Sequence, residues 1–211
     1  RGSADTWLHR QDYCMDVSVG APPDPLGPTG QNWNLPPLNP SMLKHTGYEK
    51  FAHLLRENMR LYGVLRIDHV MALCRLWWVL NDKTADFGAY VHYDAEVTFA
   101  ILALESQRNR CVIIGEDLGT VLDQARYLLN RYQVFSYKLM YFSKGWNGFQ
   151  LPEEYPEQAI TVISTHDVAP LAGYWMGKDL DTMFKLGTLL DAAAFRRPWM
   201  SANTIKPICW T

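Results

Sequence analysis

The feature that most constrains this 211-residue chain is a series of short apolar runs that each end in charged or reactive side chains. Val64-Leu65-Arg66-Ile67-Asp68 is followed by His69, Cys111–Gly115 by Glu116-Asp117, and the apolar stretch from Ala159 by His166-Asp167. Helix-forming stretches lie between them. Strands that alternate with helices predict βαβ units and a parallel sheet, whose buried strands read as continuous apolar runs. Ligands of such folds lie beyond the C-terminal ends of the strands, in closed (β/α) barrels and in open doubly wound sheets alike.

The rest of the chain supports that reading. In residues 48–63, Phe51, Leu54, Leu55, Met59 and Tyr62 share one helical face, with Gly63 as a stop. Asp94 is a plausible N-cap for a helix through Arg110. Thr120–Tyr132 predicts a further helix and Phe135–Phe142 a further strand, whereas His69–Leu80 has a helical look. Residues 16–40 are rich in proline and glycine, which predicts neither helix nor central strand. A loop of that length is commonly functional, and Gln31, Asn32 and Trp33 inside it suit a polar ligand with an apolar face.

Composition excludes several classes of function. A formal net charge of −2 without a basic block argues against a nucleic-acid track. The absence of a long apolar span argues against a membrane helix. Cys14, Cys74, Cys111 and Cys209 form no C-x-x-C pair, and reduced thiols in the cytoplasm fit them best. Eight Trp, eleven Tyr and eight Phe exceed ordinary usage, and flat aromatic faces suit sugar rings as well as cores.

Carboxylates at three strand ends match glycosidic chemistry. Retaining enzymes place an ionised nucleophile and a protonated acid on either side of the scissile bond. A nearby cation favours the ionised form. Arg66 lies two residues before Asp68 and so points to the same side of the strand. The acid needs a drier site, for which Glu116, after Val112-Ile113-Ile114-Gly115, is the candidate. Asp167 is placed to bind sugar hydroxyls, and His69 and His166 to bind the same ring. Asp117 reads either as a helix cap or as a partner to the site. A metal site built from Asp68, His69, His166 and Asp167 is the competing chemistry, weakened because adjacent strand residues face opposite ways.

LRIDHV, IGEDLG and STHD, in that order, resemble three motifs of the α-amylase superfamily. With VGAPPDPLGPTGQNWNLPP, KTADFGAYVHY and SYKLMYF they resemble glycoside hydrolase family 77, the 4-α-glucanotransferases or amylomaltases.

The resemblance implies an α/β fold. Residues 1–211 would form part of a (β/α)8 TIM barrel, roughly strands 4 to 7, with the early strands missing. It implies Asp68 as nucleophile, Glu116 as general acid/base and Asp167 as transition-state stabiliser. Arg66, His69 and His166 would position the reacting sugar, and residues 16–40, with Asp24, Gln31, Asn32 and Trp33, would form the substrate-covering loop. The substrates implied are maltooligosaccharides and other α-1,4-glucans with glucose as acceptor, and no metal or organic cofactor. An α-amylase-like hydrolase and a catalytically silent glucan-binding fragment are the alternatives. Residues 188–211 depart from the expected continuation.

Overall fold

The computed structural model describes residues 3–24, 27–145 and 148–187. The expectation of an atypical tail at 188–211 lies outside them. In chain order the strands are β1 (Val17–Ala21), β2 (Gln31–Leu35), β3 (Val64–Ile67), β4 (Arg75–Leu80), β5 (Gly88–His92), β6 (Val112–Gly115), β7 (Phe135–Leu139), β8 (Lys144–Gly145), β9 (Gly148–Phe149) and β10 (Ala159–Val162). The helices are α1 (Ala4–Leu8), α2 (Pro40–His45), α3 (Glu49–Met59), α4 (Ala95–Asn109), α5 (Asp123–Arg131), α6 (Leu171–Trp175) and α7 (Lys178–Lys185). Contacts divide the chain into two units, residues 1–137 with 156–160, and residues 138–155 with 161 onward.

The expected parallel sheet is present, in the order β10-β7-β6-β3. β3 and β6 pair in parallel from Val64↔Val112 to Ile67↔Gly115, and β6 and β7 pair through Ile114↔Phe135 and Gly115↔Ser136. β3 is less buried than its apolar sequence predicts, with Val64 exposed, because it is an edge strand. Helices cover the sheet. Phe51, Leu55 and Met59 of α3 pack with Phe99 and Leu102 of α4 and with Ala125, Leu128 and Leu129 of α5 in one core. The four-residue spacing on α3 is the sequence origin of that stripe. Leu54 and Tyr62, expected on the same face, are exposed: Leu54 lies off the buried row, and α3 ends before Tyr62.

α4 begins where Asp94 predicts, its carboxylate accepting from the Val97 amide at 3.3 Å. Its buried charged residue is Glu105, only 1% exposed. Arg56 of α3 grips it with two hydrogen bonds of 2.8 and 3.0 Å, and Arg108 adds one of 3.0 Å. These bonds, those of Arg56 foremost, hold the Glu105 carboxyl below its ordinary value.

Two expectations are corrected. Residues 16–40 contain two strands, and β1 is internal in an antiparallel sheet of order β2-β1-β4-β5. The prolines fall between and after the strands, where no ladder donor is required. The second correction concerns His69–Leu80, which forms one 3-10 turn (Val70–Leu73) and then β4 rather than a helix. β4 pairs with β1 through Val19↔Trp78 and with β5 through Trp77↔Tyr90. Bulky β-formers in Arg75–Leu80 suit a strand flanked on both sides.

In the second unit, Tyr141 and Tyr174 stack with ring centroids 3.8 Å apart and planes 9° from parallel. The Tyr141 hydroxyl donates to the Ala169 carbonyl at 3.0 Å, as does Ser164 Oγ at 3.1 Å. Together they fix the irregular chain that follows β10.

Candidate active site

Register determines which side chains meet. Ile67, Gly115 and Ser136 lie side by side across β3, β6 and β7. The residues that follow them, Asp68, Glu116 and Tyr137, therefore share the next layer at the C-terminal strand ends. Arg66, Ile114 and Phe135 form the layer beneath on the same face.

Within the first unit, the structure brings Arg66, Asp68, His69, Glu116 and Trp33 together. Arg66 Nη2 lies 2.7 Å from Asp68 Oδ1, and the Asp68 side chain is 66% exposed. His69 takes a left-handed backbone conformation, φ 50° and ψ 62°, before the 3-10 turn. That conformation points its amide at Glu116 Oε2, 2.8 Å away, while the Leu118 amide donates to Oε1 at 2.7 Å. Each oxygen of the Glu116 carboxylate is thus held by a backbone donor.

Burial pushes the Glu116 carboxyl above its ordinary value. The Leu118 and His69 amides oppose it, Asp68 adds to it, and Arg66 opposes it. The net shift is upward, the direction a general acid requires. Burial likewise lowers His69, against the pull of Asp68, so its neutral imidazole is favoured.

Gly115 has a local cause. A Cβ there would come within 2.9–3.0 Å of the Val70 side chain, so only glycine lets the turn after His69 tuck against β6. Asp117 is buried and accepts from Ser136 Oγ at 2.6 Å and from the Tyr137 amide at 2.8 Å. It clamps β7 to the end of β6 and does not cap α5, whose N-cap is Leu122.

The segment expected to cover substrate divides. Trp33 meets His69 edge-on, with centroids 5.2 Å apart at 78°, and its indole nitrogen donates to Gln31 Oε1 at 2.9 Å. Asn32 Oδ1 accepts from the Asn34 amide at 2.9 Å within its own turn. Asp24 Oδ1 accepts from the Gly27 amide at 2.6 Å ahead of β2. His166 and Asp167 belong to the second unit, both largely exposed, with Nε2 and Oδ2 3.3 Å apart. The Asp167 amide donates to Thr165 Oγ1 at 3.1 Å. β10 stops at Val162, so Asp167 sits beyond an irregular stretch rather than directly at a strand end.

Tyr137 was not among the expected site residues. Its signal lies in the alternation of β7: it is two residues beyond Phe135 and so shares the Arg66 face. Its ring lies 4.8 Å beneath the Arg66 guanidinium. Among the described residues, no group of three or more His, Cys, Asp or Glu is gathered as a metal site requires. No helix among them is long and apolar enough to cross a membrane.

A mixed α/β fold with carboxylates side by side at parallel strand ends defines the class, and solved structures narrow it. The chain superimposes on the amylomaltase from Corynebacterium glutamicum with a TM-score of 0.85 at 36% identity, covering 92% of this chain and 28% of that one. An amylomaltase from Streptococcus agalactiae in complex with acarbose gives 0.73 at 22% identity, a likeness of fold covering 89% of this chain and 40% of that one. The 4-alpha-glucanotransferase of Haemophilus influenzae is 54% identical over 189 residues, 90% of this chain and 27% of that protein. The Mycobacterium tuberculosis enzyme is 36% identical, over 94% of this chain and 29% of that protein.

The family profile described as 4-alpha-glucanotransferase matches residues 1–209, and the chain belongs to glycoside hydrolase family 77. It spans between 27% and 34% of the length of the curated relatives it matches.

Proposed function

We propose that this chain carries the reaction centre of a 4-α-glucanotransferase acting on α-1,4-glucans by a retaining double displacement. The observation that carries the reading is the shared layer of Asp68 and Glu116, in which one carboxylate is paired with Arg66 and the other is pushed toward protonation by burial.

In the first step Asp68 attacks C1 of the donor sugar while its Oδ1 stays with Arg66. The C1–O bond breaks and Glu116 gives its proton to the departing 4-oxygen. In the second step the 4-hydroxyl of glucose or a maltooligosaccharide attacks C1 and passes its proton to Glu116, releasing Asp68. Asp167 binds hydroxyls of the distorted ring as charge develops, and His69 and His166 position it. Residues 21–37 carry acceptor selection: a stiff segment with Trp33 over His69 favours a sugar and excludes water.

The parallel strands β3, β6, β7 and β10 are assigned to strands 4 to 7 of a (β/α)8 barrel. The free thiols of Cys14, Cys74 and Cys111 suit the cytoplasm.

Protein made from the complete reading frame is incubated with maltotriose. A ladder of longer sugars together with free glucose is expected; shorter products alone indicate a hydrolase and overturn the transfer reading. Asp68→Asn should abolish the ladder, and near-normal turnover in that variant would remove Asp68 from the nucleophile role.

A further inference from the structure

Arg66 is the cation beside the proposed nucleophile, yet its own environment is unusual. Its Nη2 serves Asp68, while its buried Nε has no hydrogen-bond partner among the described residues. A desolvated guanidinium donor without an acceptor is costly unless another group compensates. The compensating group is the face of Tyr137, whose ring centroid lies 4.8 Å from Arg66 Cζ. An aromatic face attracts a cation through its quadrupole, most strongly where water is excluded. Tyr137 is 9% exposed and the Arg66 side chain 31%, so the ring side of the contact is shielded from water.

The ring is itself held. The Tyr137 amide donates to Asp117 Oδ1 and the neighbouring Ser136 hydroxyl to Oδ2, so a buried carboxylate fixes β7 at the residue whose ring bears the cation. The chain of contact runs from Asp117 through Tyr137 and Arg66 to Asp68.

We propose that Tyr137 is a positioning residue of the transfer reaction, its ring face fixing the Arg66 guanidinium against the Asp68 carboxylate. This rests on the reading of Asp68 as nucleophile. The ring face is what matters, and the hydroxyl is dispensable. Without the face, Arg66 gains rotamers in which Asp68 is left unaligned, so the loss falls on turnover more than on binding of the donor.

The test uses protein from the complete reading frame with maltotriose as donor. Tyr137→Leu should lower kcat about tenfold while KM changes little, and Tyr137→Phe should restore most of the lost turnover. Because leucine at a buried position can impair folding, phenylalanines carrying one, two and three ring fluorines are also placed at position 137. They keep the shape and progressively weaken the quadrupole. A stepwise fall in kcat with fluorination is expected; a flat series, or a Tyr137→Phe variant as poor as Tyr137→Leu, overturns the proposal.

A second readout does not depend on turnover. In arginine-labelled protein the Arg66 Nε–H signal should be displaced by the ring current and lose that displacement in Tyr137→Leu; an unmoved signal overturns the contact. A wild-type protein that makes no ladder defeats the transfer reading, whereas a flat series in an active enzyme defeats the role of Tyr137 alone.

Discussion

The amide of His69 and Oε2 of Glu116 lie 2.8 Å apart, so the turn that follows β3 is fastened directly to the carboxylate at the end of β6. The left-handed backbone at His69 makes this bond. It couples the two strand ends more tightly than ladder pairing alone, and it bears on how Glu116 titrates.

Glu116 is raised above its ordinary carboxyl value chiefly by burial. An acid must be protonated to act, so in the proposed role of Glu116 activity should persist below the raised value and fall as pH climbs through it. The basic limb of kcat/KM should therefore lie above the ordinary Glu range. Glu116→Gln should lower kcat by about 10²–10⁴-fold and erase that limb from the residual activity. A pH–rate profile of both proteins checks this, and an unchanged limb in the variant would assign it to another group.

Gly115→Ala brings a methyl into the fully buried Val70. Overpacking of this kind costs about 1–3 kcal/mol. Thermal unfolding should show the loss, and combining it with Val70→Ala, which removes two of the three close contacts, should cost less than the sum of the single changes. Strict additivity would mean the backbone moves instead.

Glu105 is depressed in the folded chain by Arg56 and Arg108. A depressed carboxyl contributes stability above its unfolded value, and that contribution disappears as pH falls through the folded one. Glu105→Gln should cost about 1–3 kcal/mol at pH 7. The gap from wild type should close in acid, below the unfolded value near 4.5. Melting curves at both pH values decide it; a gap that stays constant points to packing rather than charge.

Trp33→Ala removes the indole that rests on His69. If Trp33 shields the intermediate from water, the fraction of turnovers ending in hydrolysis should rise by roughly three- to tenfold. Reducing-end release from maltotriose measures this, and an unaltered product ratio would take Trp33 out of acceptor selection.

β6, α4, α5 and the charged ends of β3 and β6 were legible in the sequence because each is defined locally. Parallel strands covered by helices read as apolar runs, and Asp94 announces its helix by a side chain three residues from its partner. β1, β2 and β4 were not legible, since their partners are distant: Val17 pairs with Leu80, and Trp77 with Tyr90. Proline between β1 and β2 hid two strands it does not interrupt. Arg75–Leu80 lacks the polar alternation that marks a strand and so passed for helix. The function of Asp117 depended on Ser136 and Tyr137, which only folding brings to it.

The order β2-β1-β4-β5 also governs how this segment can be re-engineered. β2, which bears Trp33, is laddered through β1 to β4, and β4 is reached within a single turn of Asp68. Exchanging residues 16–40 alone for a foreign segment would leave β4 with an orphaned edge beside Asp68. The transplantable cassette is discontinuous: residues 17–35 must travel with 75–92, or the new loop arrives without its foundation.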